Sequence, residues 1–511
     1  MTKKIEDANV EEQTAVENVP ETDSVSDENP LDVEKTDMEM TETAEETVEE
    51  PAETQTADEQ GSGDAQHEGI LSDYADKKAR KKEKKKLTPE QKKKRAIKAL
   101  IITASIVLVI GIFFSSCAIA NAVGSKALIK QAMSFNPVEY AEGAQLVPQK
   151  DTDGYWTFTA DRDLKVLQFT DVHIGGGCFS RSKDTWAMNA VATMIKQEKP
   201  DFVVVTGDIA YPVPFQAGTF NNIVGAQVFA NMMESLKVYW TFAFGNHDTE
   251  AYSMYTREEI CEYYEEQDFK YCLFDRGYSS EDLGYGNSII KVKNSKGIIT
   301  QALVTLDSHS YIDGDYFGAE WKYDIIHKEQ SDWYAAEMDK MVAANNAVLE
   351  QDANVGVEKD APVKNLAFFH IPLVQYRDAW KQYRDNGNQD TADVTYHYGT
   401  VGEDESSKKN GVHTYGIFSG LHSENETFFD TGLTHGLQGT FCGHDHYNNF
   451  SMDYKGIRLT YGMSIDYLAY PGIYKEHSQR GCTVITVKAD GSFDCQAKNY
   501  YTYEGVRHEK G

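Results

Sequence analysis

Read from its amino terminus, the chain shows no apolar periodicity over its first 76 residues. A lysine-rich run follows, and then one uninterrupted apolar stretch at residues 99–123 (ALIITASIVLVIGIFFSSCAIANAV) without a single charge. A helix of about 25 such residues is long enough to cross a hydrocarbon core of ~30 Å. Beyond it the pattern changes to short apolar runs of strand length alternating with helical patterns. Residues 164–170 (LKVLQFT) and 202–206 (FVVVT) read as strands with a helix over 183–197 between them. That is a βαβ unit, and it predicts a largely parallel sheet with helices on its faces. A second crossover runs through a helical pattern at 225–236 into a strand at 238–244. Further strands are predicted at 288–292, 302–306, 365–369 and 437–442, with a long helix at 328–349 and a terminal hairpin of 482–488 and 492–497 around Ala489-Asp490-Gly491. The fold class is α/β.

Charge changes the picture at the amino terminus. The 511 residues carry 81 acidic and 50 basic side chains, a net charge of −31. Residues 1–76 hold roughly 25 acids against about 3 lysines, while residues 77–98 hold about 13 bases against about 2 acids. The acidic segment has Tyr74 as its only aromatic residue and cannot bury enough surface to offset chain entropy, so disorder is expected there. Lys92, Lys93, Lys94, Arg95 and Lys98 crowd the amino-terminal flank of the apolar stretch, which by the positive-inside rule puts residues 1–98 in the cytoplasm and everything after about Gly124 outside. The expected organisation is a disordered acidic cytoplasmic tail (1–76), a polybasic juxtamembrane segment (77–98), a transmembrane helix (99–123), a linker leading into the domain (124–160) and one large domain (161–505). So acidic a chain repels phosphate backbones, and nucleic acid is not an expected partner. What partner the tail has cannot be read from it. Six of the seven cysteines fall on the predicted outer side without CxxC spacing, which leaves disulfides and isolated buried thiols both open.

The chemistry lies where the apolar runs stop. Phe169-Thr170 runs into Asp171-Val172-His173, Thr206 into Gly207-Asp208, Phe244 into Gly245-Asn246-His247-Asp248, Phe369 into His370, and Cys442 into Gly443-His444-Asp445-His446. In open α/β sheets the carboxyl ends of the strands line one crevice, so these residues are expected to converge. Carboxylates, imidazoles and one amide oxygen form an oxygen/nitrogen ligand set suited to manganese, iron or zinc. They are too many for one tetrahedral ion and fit two metals about 3.5 to 4 Å apart. Glycine before Asp208, Asn246 and His444 lets the backbone turn as it leaves the strand and brings the ligand close.

These five blocks resemble the signature of the calcineurin-like metallophosphoesterase superfamily over about residues 164–450, and most closely its purple-acid-phosphatase-related branch, whose first block is Asp-x-His. The resemblance implies a two-sheet αββα sandwich and two divalent or trivalent ions. Asp171, His173 and His446 would hold one ion and Asn246, His370 and His444 the other, with Asp208 bridging. A hydroxide between the ions would attack phosphorus in line. His247 would steady the transition state or protonate the leaving oxygen, with Asp248 orienting it. Asn246, His247 and His422 are the expected substrate contacts, His422 because residues 419–429 resemble the same branch. Tyr211 stands where true purple acid phosphatases supply a tyrosine ligand, but His173 occupies a position that is glycine in those enzymes, so Tyr211 is not expected to bind metal. Residues 374–436 interrupt the blocks and are expected to overhang the site as a loop. The implied activity is hydrolysis of small-molecule phosphomonoesters outside the cell membrane. A phosphodiesterase acting on nucleotides or lipid headgroups, and a non-catalytic receptor or scaffold, are the alternatives.

Overall fold

The computed structural model of the protein describes residues 87–312, 322–402 and 427–507. Helix α1 (Pro89–Ala132) contains the apolar stretch and continues past it without a break. Its most apolar window has a mean hydropathy of 2.6 and none of it is buried, so the helix is long and apolar enough to cross a membrane. Residues 124–132, expected in a linker, are instead its last turns. Gly124, Leu128 and Ala132 repeat at a four-residue spacing on one face of the helix and are buried.

Two short strands, β1 (Gln149–Lys150) and β2 (Trp156–Thr159), lead into the predicted crossovers: β3 (Leu164–Phe169), α2 (Arg181–Glu198), β4 (Phe202–Thr206), α3 (Ile223–Leu236) and β5 (Trp240–Ala243). A short helix, α4 (Arg257–Glu266), precedes β6 (Ser288–Lys293), β7 (Ile299–Thr305), the long helix α5 (Lys328–Gln351) and β8 (Asn365–Phe368). The chain continues through α6 (Val374–Asp385), β9 (Val394–Tyr398), α7 (Phe428–Thr434), β10 (Leu437–Cys442), β11 (Ser451–Tyr454) and β12 (Ile457–Tyr461). It ends in the predicted hairpin of β13 (Gly481–Val487) and β14 (Phe493–Asn499).

Among the described residues these strands form two sheets, ordered β14-β13-β3-β4-β5 and β1-β2-β6-β7-β8-β10-β12-β11-β9. Strands β3, β4 and β5 pair in parallel, as do β7, β8, β10 and β12. Both faces of these central strands are covered, which is why Phe202-Val-Val-Val reads as an unbroken apolar run. One core joins the two sheets through Val166, Phe202 and Val204 on one side and Leu303, Leu366, Phe368 and Phe441 on the other. A second core lies under α2, α3 and the end of α1, and a third under α5 and α6. The architecture is the αββα sandwich implied by the resemblance.

The stretch after Leu373 departs from expectation. Its first part is core and not an overhanging loop: Val374, Tyr376, Ala379 and Trp380 form the buried face of α6, with the Tyr376 hydroxyl 2.8 Å from Thr440 Oγ1. Strand β9 then closes the edge of the larger sheet against β11. His422 lies outside the described residues. All seven cysteines are free of disulfides, and Cys261, Cys442, Cys482 and Cys495 are buried thiols.

Candidate metal centre

Strands β3, β4 and β5 of one sheet and β8 and β10 of the other end at the same place. Gln168 ties the two together there, its amide donating 2.9 Å hydrogen bonds to Thr206 Oγ1 and to the Cys442 carbonyl. Leaving the strands, the backbone turns hard. Asp171, His173, Asp208 and His444 all have positive φ, at 52°, 52°, 55° and 87°. Such conformations cost of order 1 kcal/mol or more per non-glycine residue, and runs of them mark functional sites. The close approach expected of the glycines holds at Gly245, where an added Cβ would fall 2.1 Å from Asp208 Oδ1.

The turns bring seven side chains together in two groups that share one member. Asp171, His173, Asp208 and His446 are buried, and each offers a ligand atom within 4.8 Å of the others. On the other side, Asn246 Oδ1 lies 3.2 Å from His370 Nε2 and 3.0 Å from His444 Nδ1. Asp208 Oδ2 belongs to both groups, 3.2 Å from His173 Nε2 and 3.1 Å from His370 Nε2. Its other oxygen accepts the His247 backbone N–H at 2.8 Å. Burial works against the charge of Asp208, but His370 and His247 outweigh it and hold the carboxyl well below its ordinary range. Burial opposes charge on His370 too, yet Asp208 raises it to about 9. His444, buried and facing His370, is pushed down to about 3. A buried oxygen/nitrogen set of this kind, rich in carboxylates and imidazoles, fits divalent or trivalent cations.

Outer partners fix which ring nitrogen faces inward. His370 Nδ1 lies 2.8 Å from the Thr206 carbonyl, which can only accept, so Nδ1–H donates there and Nε2 is the atom turned to the centre, free to bind a metal once it gives up its proton. For His173 and His446 the partner is Asp466, 3.1 Å and 3.0 Å from their Nδ1 atoms. Burial disfavours the Asp466 charge, but the two imidazoles hold it well below its usual range. Sequence reasoning misses Asp466 although a signal for it exists: β12 is one more strand of the parallel core, Gly462 ends it, and a carboxylate follows four residues on. Replacing Asp466 with asparagine frees both imidazoles to choose the wrong tautomer and is expected to weaken metal binding roughly 10- to 100-fold. Competition against a chelator of known affinity measures this, and unchanged binding would remove Asp466 from that part.

Residue Asp248 is not the partner of His247. It sits beneath the 3-10 turn His247–Thr249 and accepts the backbone N–H groups of Asp208, Ala210 and Gly245 at 3.0, 2.8 and 2.8 Å. It shapes the turn, and burial and the nearby Asp208 raise its carboxyl to about 6. Glu250 holds the imidazole instead, 2.6 Å from His247 Nδ1. Tyr211 donates its hydroxyl to Gln216 at 2.8 Å and lays its ring 4.6 Å from His173 and 4.8 Å from His247. Two further aromatics join the site without a signal in the sequence pattern. Tyr311 accepts from the Asn246 amide at 3.2 Å, and the Tyr323 ring meets His444 edge-on at 4.2 Å. The two tyrosines pair with each other as an isolated antiparallel bridge.

A family model described as calcineurin-like phosphoesterase matches residues 164–448. Among curated proteins, the chain is 25% identical over 328 residues to an Arabidopsis thaliana protein named probable inactive purple acid phosphatase 29, covering 61% of this chain and 74% of that one. It is 24% identical over 373 residues to probable inactive purple acid phosphatase 28 of the same plant, covering 68% and 80%. Among solved structures, a dimetal phosphatase from Danio rerio is 12% identical with a TM-score of 0.37, covering 66% of this chain and 99% of that one.

Proposed function

The chain belongs to the calcineurin-like phosphoesterase family, and from that premise we propose that it is a membrane-anchored hydrolase of phosphomonoesters that works with two metal ions, manganese, iron or zinc. The observation that carries the reading is Asp208, one carboxylate oxygen common to two buried ligand groups. Asp171, His173 and His446 would hold one ion, Asn246, His370 and His444 the other, and Asp208 both. When bound, the pair supplies the positive field that acidifies a water and neutralises phosphoryl oxygens. The chain's own groups do the rest. Glu250 accepts from His247 Nδ1–H and fixes the ring, so that in the imidazolium form Nε2–H is left to donate to a phosphoryl oxygen or to give its proton to the departing alcohol. His247 is the half-open member of the site, its side chain 24% exposed, as a group that meets substrate must be. Tyr211 packs against that ring, and the Tyr311 hydroxyl accepts from the Asn246 amide.

The two Arabidopsis relatives are named as probably inactive. In this chain none of the seven ligand positions is substituted, which favours catalysis over a scaffold that has lost it. Metal analysis of the full chain in detergent, beside turnover of aryl phosphate mono- and diesters, tests the reading. Two ions per chain, monoester turnover well above diester, and loss of both with chelator are expected. A wide preference for the diester would replace the monoester reading with the phosphodiesterase one, and a protein that neither binds metal nor hydrolyses either ester would be the receptor or scaffold. The lysine-rich flank orients the domain outside the cell. Protease added to intact cells should then release it, whereas digestion of only the tail would reverse the orientation.

A further inference from the structure

Helix α1 touches the rest of the fold just before its apolar stretch ends. The Asn121 amide donates to the Gly218 carbonyl at 2.8 Å, and its oxygen accepts the Cys178 N–H at 2.7 Å. At 1.5 Å of rise per residue, Asn121 lies only about 3 Å along the axis from the last residue of the stretch, Val123. The two loops it holds are therefore level with the boundary between acyl chains and headgroups.

Those loops carry large apolar side chains in the open. Phe179 is 54% exposed, Phe215 93% and Phe220 49%, with Met254 beside them at 62%. They form one patch. The Phe179 N–H donates to the Ala217 carbonyl, the Met254 N–H to the Phe220 carbonyl, and an added Cβ on Gly218 would meet the Phe179 ring at 3.0 Å. Phe215 rides on a single helical turn, Pro214–Ala217. No charged residue occurs anywhere between Asp208 and Glu234. An exposed apolar patch of this kind, bordered by Arg181 beside Phe179, marks an interaction surface, and its continuity with the exposed apolar length of α1 points to the same bilayer as its occupant.

The patch is also the rim of the metal centre. Its segment begins at Tyr211, whose ring lies against His173 and His247, and Gln216, next to Phe215, accepts the Tyr211 hydroxyl. Phe220 meets Tyr252, two residues from Glu250. We propose that Phe179, Phe215, Phe220 and Met254 seat in the interfacial layer of the membrane and that the phosphate ester reaching the site is borne by a membrane lipid. This rests on the phosphomonoesterase reading above. In the reaction, water oxygen forms the new bond to phosphorus, the bond from phosphorus to the lipid oxygen breaks, and that oxygen takes a proton. The products are a lipid alcohol that stays in the bilayer and inorganic phosphate that leaves it.

The test uses the full chain in phosphatidylcholine vesicles. Phe215→Trp adds an emission that bromine-labelled acyl chains should quench about twofold or more beyond the wild-type background, as buried interfacial tryptophans are. Phe215→Ser combined with Phe220→Ser should lower turnover of phosphatidic acid in the vesicles about tenfold or more, the scale of two phenyl rings losing apolar burial, and leave turnover of p-nitrophenyl phosphate within twofold. No quenching beyond background in the Phe215→Trp variant, or equal losses on the two substrates in the double serine variant, would overturn the proposal. Quenching with no hydrolysis of either ester by the wild type would instead leave the seat standing and remove the phosphatase reading beneath it.

Discussion

Asp208→Asn should lower turnover of an aryl phosphate by about 10³-fold or more, the equivalent of roughly 4 kcal/mol of transition-state stabilisation. The amide matches the carboxylate in shape, so the loss is one of charge and polarity. Oδ2 faces two imidazole Nε2 atoms at 3.2 and 3.1 Å, while Oδ1 accepts the His247 N–H at 2.8 Å. An amide can put oxygen in only one of those places. With NH2 towards the imidazoles, a donor replaces the shared ligand; with NH2 towards His247, two donors oppose each other in a buried site. Neither orientation supplies the negative charge that two cations would share. Metal content should fall with activity while the melting temperature stays close to that of wild type with its metal stripped. Retention of more than a tenth of the activity would show that Asp208 is not the common ligand.

Gly443→Ala is the second large effect, and it acts through space. A Cβ there would lie 1.7 Å from Thr170 Oγ1 and 2.7 Å from Asp171 Oδ2, while the Gly443 N–H is committed to the His370 carbonyl at 3.0 Å. One sheet passes the other at this point with no gap for a methyl group. Thr170 cannot swing aside without giving up its contacts with Asp171 Oδ2 at 2.7 Å and the Thr206 carbonyl at 2.9 Å. The strand ends must part, at a cost of about 3 kcal/mol and a fall in melting temperature of roughly 5 °C or more. Because Asp171 and His444 ride on those ends, metal occupancy should fall too. Calorimetry on the chelated and metal-loaded forms separates the two, and a variant with unchanged melting temperature in both would show that the strand ends yield freely.

The parts of this molecule legible in its sequence are those buried on both sides. Phe202-Val-Val-Val and Leu437 to Cys442 declare themselves as strands because nearly every position faces a core, and the residues just past them are the ones the sheet must present at its carboxyl end. That logic locates all seven side chains that converge at the strand ends. It fails for groups delivered by turns and by later elements. Asp248 and Glu250 stand two residues apart, and only the tight turn decides that one points under the backbone and the other at the imidazole. Tyr311 and Tyr323 reach the site from a loop whose course no local pattern fixes. Helix α6 and strand β9 read as overhanging loop because Tyr376, Arg377, Asp378 and Trp380 mix charge with aromatics, and only packing against Thr440 shows which face is inside.

Helix α1 has no joint between its exposed apolar length and the turns where Leu128 and Ala132 enter the core. A flexible tether would let the domain wander; an unbroken helix makes anchor and domain one stiff lever. If the span crosses a membrane, its tilt must answer to bilayer thickness, typically by about 20° and more where the membrane is thin. Each degree of that tilt is handed on to the domain. The altitude and pitch of the cleft would then be set by the mechanics of the surrounding lipid, so that membrane composition would act on the domain as a physical dial without touching a single one of the converging side chains.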